Sequence, residues 1–240
     1  MKVEGGLIIH LARAAGRRPG VDRLLADCPV PLVVLDAVDG RAADADMLAA
    51  YDPDLRLAPR YPFALLPAEV ACFLSHRAAW ARILAEGWDA GLVVEDDAAL
   101  VPDTFVRALE LVEAHPGDGA IQLQTRGPQS GVVIASKAGL ELRKQDLPPL
   151  RTTCSIYSRS ACERLLEAST TFDRPVDVFL QMHWVTGVHV TSVYPSGVSE
   201  VSGAGGSTTI QKSDRKLWSK LTREIRRPLF RSAMARRARR

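Results

Sequence analysis

The 240-residue sequence predicts an α/β fold, a mostly parallel sheet flanked by helices. Short apolar segments alternate with segments of helical periodicity, the pattern that builds a parallel sheet. The run Leu92-Val93-Val94 is apolar on both faces, as a strand in the middle of such a sheet must be. It ends abruptly in Glu95-Asp96-Asp97, and ligands of open α/β sheets bind beyond the carboxyl ends of the strands.

Taken in order, residues 5–11 and 30–38 read as two strands around a helix over 18–26. From 42 to 67 periodicity is weak and Pro53, Pro59, Pro62 and Pro67 recur, so this is a long connection of the kind that serves as a lid or binding loop. Residues 66–84 form a helix with Pro67 in its first turn and Gly87 past its end. After the carboxylates, Pro102 and Asp103 open a helix with Phe105, Leu109 and Val112 at helical spacing, stopped by Pro116-Gly117. Segments 120–124, 131–136 and 152–158 are strands, and Ser160 with Glu163 fits a capping box for a helix through Ala168. Pro175 begins a short helix with Asp177 in its first turn, where the dipole favours a carboxylate. Residues 188–193 close as a strand, and the Gly- and Ser-rich 199–209 is a mobile loop or linker.

Side chains alternate along a strand, so Glu95 and Asp97 project to one side and Asp96 to the other. Three adjacent negative charges repel, and a hard cation such as magnesium or manganese, held with substrate phosphates, relieves that repulsion. The alternative is an acidic strand end that merely turns into a loop. On the preceding helix Glu69 and His76 lie seven residues apart and share one face, which borders the same crevice or forms a polar rim on a core helix. In that second reading Ser75 simply bonds back to the helix backbone.

The stretch from Glu69 through Cys72, Ser75 and His76, then Trp80, then Glu95-Asp96-Asp97, resembles the signature of glycosyltransferase family 25. The segment Ile9-His10-Leu11-Ala12-Arg13, with Arg17 four residues on, is similar to the family's opening strand, and Ala37-Val38-Asp39-Gly40 to its next element. Tyr157, Ser158, Ala161, Leu165 and Leu166, followed by Pro175-Val176-Asp177, resemble its C-terminal half. His10 and Ala12 stand where the family usually has Asn and Asp, and Ala71 where Gly is common.

This resemblance implies a GT-A-like, Rossmann-type catalytic domain over residues 1–210 that inverts the anomeric centre of a UDP-sugar, most often UDP-galactose. It implies Asp97 and then Glu95 as ligands of Mn2+ or Mg2+, and Asp177 as the base for the acceptor hydroxyl, with Glu69 and Asp173 as runners-up. Leu11, Arg13, Arg17, Asp39, Ser75, His76 and Asp96 are then the expected contacts to the donor or acceptor. The implied acceptor is a glycan or a lipid-linked saccharide of lipopolysaccharide or cell-surface polysaccharide synthesis. Two other classes use the same features: a metal-dependent sugar-nucleotide hydrolase or nucleotidyltransferase, and a non-catalytic membrane-surface module.

No run approaches the roughly 20 apolar residues of a membrane span, and the N-terminus has no signal-peptide pattern, which predicts a cytoplasmic protein. Cys28, Cys72, Cys154 and Cys162 have no zinc spacing and read as reduced, buried thiols. Residues 212–240 carry 12 basic residues against Asp214 and Glu224, leaving 19 basic and 26 acidic residues in 1–211. The tail, residues 211–240, places Leu217, Leu221 and Ile225 on one helical face beside Trp218, with Pro228 ending or kinking the segment. A basic amphipathic helix of this kind suits the inner face of an anionic membrane. Aromatic content of 6% and a tail with no interleaved stacking residues speak against a nucleic-acid partner.

Overall fold

Eight strands form one sheet in the computed structural model, which describes residues 1–42, 44, 48–115, 117–127, 131–201 and 217–239, with only the backbone helix for 217–225. They are β1 (Gly5–His10), β2 (Leu32–Asp36), β3 (Ala90–Glu95), β5 (Ala120–Leu123), β6 (Val132–Lys137), β7 (Leu140–Lys144), β8 (Cys154–Ser158) and β9 (Val190–Tyr194). Their order is β2-β1-β3-β8-β5-β9-β7-β6. β2, β1 and β3 are mutually parallel, and β5 is parallel to β9. β8 runs against β3 and β5, and β7 against β9 and β6. All strands but β7 and β8 therefore point one way, which is the mostly parallel sheet the sequence predicts. A second sheet pairs β4 (Ala98–Leu100) with β10 (Val198–Glu200), directly after the three carboxylates.

Both faces of this sheet are covered. Helices α2 (Pro67–Ala85), α4 (Arg159–Ala168) and α5 (Val176–Leu180) supply one layer, α1 (Arg18–Asp27) and α3 (Pro102–Glu113) the other. Alternation along β1 sends Leu7 and Ile9 to the first layer and Ile8 to the second, and β3 sends Val93 one way and Leu92 and Val94 the other. Within the first layer Phe73 stacks on Phe172 at 3.8 Å and meets Trp80 edge-on at 6.2 Å. Each fully buried large side chain of this kind stabilises the fold by about 1.5–3 kcal/mol. The aromatic face of α2 is thereby fixed against the sheet, which sets where its polar residues emerge.

Three expectations need correction. The cap of α4 is Ser158, not Ser160: Ser158 ends β8 in extended backbone, and its Oγ accepts the Ala161 amide at 3.1 Å. Ser158 also accepts the Gly119 amide and donates to Asp118, to which Ser160 also bonds. The polar stretch after 136 forms β7, because Leu140 and Leu142 turn inward while Glu141 and Arg143 do not. Pro228 does not end its helix: α7 (Leu217–Ala238) runs through it. Packing outweighs the local penalty, since Met234 is buried against Val178 and Met182, and Phe230 meets Tyr61 edge-on at 5.4 Å. Nε2 of His183, in the one-turn helix α6 (His183–Thr186), also bonds the Ala238 carbonyl at 3.1 Å.

The expected apolar stripe Leu217, Leu221 and Ile225 lies on side chains outside the described residues, as do the proposed boundary at 210 and nearly all of the 199–209 loop. Among the described residues no helix is long and apolar enough to cross a membrane.

Candidate active site

The parallel trio β2-β1-β3 ends along one edge. His10 pairs in register with Asp36, and Ile9 with Glu95, so the loops carrying Arg13, Asp39 and the three carboxylates leave the sheet side by side. Asp96 turns away from its neighbours and is buried. It meets His10 Nδ1 at 2.8 Å and the Arg17 guanidinium, which also lies 4.0 Å from Asp97. Two cationic or proton-donating groups thus hold the buried carboxylate, as a charge removed from water requires. The chain contributes Arg17 from a single 3-10 turn, Ala15–Arg17, just ahead of α1.

Glu95 faces the opposite way, towards α2. His76 Nε2 lies 3.2 Å from its Oε1, and the Thr152 hydroxyl donates to the same oxygen at 2.5 Å. Burial pushes the Glu95 carboxyl up, but the His76 and Thr152 contacts outweigh it and hold it below the ordinary range. Asp97 has no such partners. Burial and then the Glu95 charge raise its pKa, and its Oδ1 is buried with no hydrogen-bond partner among the described residues.

Cys72 stands one helical turn before His76, and its Sγ lies within 4.8 Å of the His76 and Glu95 ligand atoms. Contrary to the expectation of a buried thiol, Cys72 is exposed; Cys154 and Cys162 are buried and Cys28 is half-buried. Desolvation, followed by the charges of Glu95, Asp177, Asp97 and Glu69, pushes the Cys72 thiol well above its ordinary range. The i, i+4 spacing of Cys72 and His76 was the sequence signal for this face, and it went unused.

Asp177 lies in the first turn of α5, where its Oδ1 accepts the Val178 amide at 2.8 Å. Its pKa is raised, chiefly by burial and further by the Glu95 charge, against backbone hydrogen bonds from Val178 and Arg151. Glu69 is committed locally: its Oε2 accepts the Leu66 amide at 2.7 Å and closes the first turn of α2. Asp173 is engaged too, in a buried pair with Arg174 at 2.6 Å.

On the far side, Arg13 Nε meets Asp39 Oδ2 at 2.6 Å, joining the loops after β1 and β2. That guanidinium, with the Arg41 amide, lowers the Asp39 pKa. Ser75 donates to the Ala71 carbonyl at 2.8 Å and accepts the Val38 amide at 2.9 Å, so its hydroxyl ties the Asp39 loop to α2. Leu11 is half-buried, and its carbonyl accepts the Ala14 amide at 2.7 Å. Sequence reasoning missed Thr152, which it read only as the start of a strand that in fact begins at Cys154, and Arg151 just before it.

The donor set fits a divalent cation. Asp97, with an orphaned buried oxygen, and Glu95, with only its Oε1 engaged by His76 and Thr152, are the hard ligands that manganese and magnesium take. Cys72, His76 and Glu95 also offer ligand atoms within 4.8 Å of one another, a set of the kind that suits a softer ion.

The model of "Glycosyltransferase family 25 (LPS biosynthesis protein)" matches residues 4–125, from β1 through β5 and including all three carboxylates. Inactive glycosyltransferase 25 family member 3 of Mus musculus is 32% identical over 186 residues, 72% of this chain and 30% of that protein. Procollagen galactosyltransferase 2 of Mus musculus is 28% identical over 109 residues, 44% of this chain and 17% of that protein. The chain thus spans less than a third of the length of these relatives. A Drosophila β-1,4-galactosyltransferase 7, solved with manganese, UDP-Gal and xylobiose, aligns over 90% of this chain and 82% of its own, at 10% identity and a TM-score of 0.41. With the family's matched segment forming the β1–β5 half of the fold and its carboxylate edge, the chain belongs to glycosyltransferase family 25.

Proposed function

We propose that this chain transfers a sugar, with inversion, from a UDP-sugar to a hydroxyl of a glycan or lipid-linked acceptor. The observation that carries the reading is the carboxylate edge after β3, where Glu95 is held by His76 and Thr152 and Asp97 keeps a buried oxygen with no hydrogen-bond partner among the described residues. Glu95 and Asp97 would hold Mn2+ or Mg2+, which when bound neutralises the charge that grows on the departing diphosphate. Arg17, 4.0 Å from Asp97, adds a fixed positive charge on the same side. Arg13 and Asp39, locked together between the two loops, supply a donor and an acceptor for the nucleoside.

Asp177 takes the acceptor proton as the acceptor oxygen bonds to the anomeric carbon and the carbon–diphosphate bond breaks. Its raised pKa suits this work, because a stronger base draws the proton more effectively. Galactose is the favoured sugar because family relatives are named galactosyltransferases. The relative covering most of this chain is named inactive, so turnover itself is the test. Full-length protein is given a panel of UDP-sugars with manganese, with and without saccharide acceptors. UDP release that depends on acceptor supports transfer, and release indifferent to acceptor supports the hydrolase reading instead.

A further inference from the structure

The long connection after Tyr51 and the C-terminal helix α7 enclose a cleft of about 720 Å³, within the range that holds a small ligand. Tyr61 is its centre, edge-on to Phe63 at 5.6 Å and to Phe230 at 5.4 Å. One wall adjoins the site above: Tyr61 packs against the cluster of Val178, the residue after Asp177, and Asp173 of the lining lies four residues before Asp177. Burial, and then the Glu69 and Asp177 charges, raise the Tyr61 pKa.

The charge of this cleft is not balanced. Its two acids are neutralised, Asp173 by buried Arg174 at 2.6 Å and Asp54 by Arg56 at 3.3 Å. Arg60 and Arg226 line the opening and have no ion pair among the described residues. Arg227 lies over the Phe63 ring at 5.9 Å, and Arg174 over Phe230 at 6.0 Å with its buried Nη1 unpartnered. Flat aromatic faces stack on the apolar face of a sugar ring, while free guanidinium groups bind phosphate or carboxylate in forked geometry.

Building on the transferase reading, we propose that this cleft is the acceptor site, and that Arg60 and Arg226 select a saccharide carrying an anionic substituent. The basic C-terminal helix then serves as a wall of the acceptor site. A planar membrane would not need the concave aromatic floor.

The test uses the full chain in excess EDTA without donor, so that neither metal nor nucleotide contributes and failure leaves the transferase reading standing. Binding of glucose, glucose 6-phosphate and inorganic phosphate is followed by saturation-transfer NMR and calorimetry. Glucose 6-phosphate should bind about tenfold more tightly than either of the others, the worth of one charge-assisted contact added to ring stacking. Arg60→Gln with Arg226→Gln should abolish the preference, and the paired Lys variants should restore most of it. Unchanged preference in the Gln pair, equal binding of inorganic phosphate, or no binding of either sugar to the wild type overturns the proposal. Salt-sensitive pelleting with anionic vesicles that is lost in the Gln pair would assign the arginines to a membrane instead, and also overturns it.

Discussion

Replacing Arg17 by Met removes one of the two partners of Asp96 while keeping most of the side-chain volume. The Asp96 side chain is only 7% exposed and Arg17 29%. Stripping a buried charge of its partner costs about 3–5 kcal/mol when nothing replaces it. Here His10 keeps its contact at 2.8 Å and the guanidinium is partly in water, so a loss of about 2 kcal/mol is expected. At this chain length that lowers the melting temperature by about 4–8 °C. Asp96→Asn removes the charge that needs the partner, so the double variant should be more stable than the two single losses predict, by about 1–2 kcal/mol. Urea unfolding of the four proteins measures this directly. A loss under about 0.5 kcal/mol in Arg17→Met, or strict additivity in the double variant, would refute the cradle.

Three more outcomes follow from the same geometry. Gly40→Ala would put a Cβ 2.7 Å from the Pro67 carbonyl oxygen and 3.0 Å from the Ala68 Cα, so backbone must move. A stability loss of about 1–3 kcal/mol by calorimetry, with weakened UDP binding as the Asp39 loop shifts, is expected. Because the Asp177 pKa is raised, the transfer rate should fall as pH drops through a value above that of an ordinary aspartate, and Asp177→Asn should lose that limb with a rate about 10²–10⁴-fold lower. Glu95 behaves oppositely in the metal-free protein. Its folded pKa is lowered, so its contribution to stability is present above the ordinary carboxylate range and fades as pH falls through the folded value; Glu95→Gln should flatten acid unfolding there.

Much of this was legible in the sequence because it is local. The uninterrupted apolar run of β3 demanded burial on both faces, and the two core layers receive its alternate side chains. Glycine and proline punctuation set the limits of α2 and α3. What was not legible depends on packing between distant segments. Pro228 reads as a helix breaker until Phe230 and Met234 are seen anchoring the chain beyond it to Tyr61, Val178 and Met182. Ser75 pattern-matches a site residue, yet its hydroxyl is spent tying Val38 to α2. Cys72 looked like core because its neighbours in sequence are apolar, and only the arrival of Glu95 from β3 brings it beside a charged group.

The most direct test of the account compares UDP release by wild type and Asp97→Ala, with the best donor and acceptor, in EDTA and then in manganese. Wild type should be silent in EDTA and recover with manganese. Asp97→Ala should stay folded but turn over roughly a thousandfold more slowly at any manganese concentration, the loss of several kcal/mol of transition-state stabilisation. Full wild-type turnover in EDTA, or near-normal turnover by Asp97→Ala, would contradict a metal-dependent transferase built on these carboxylates.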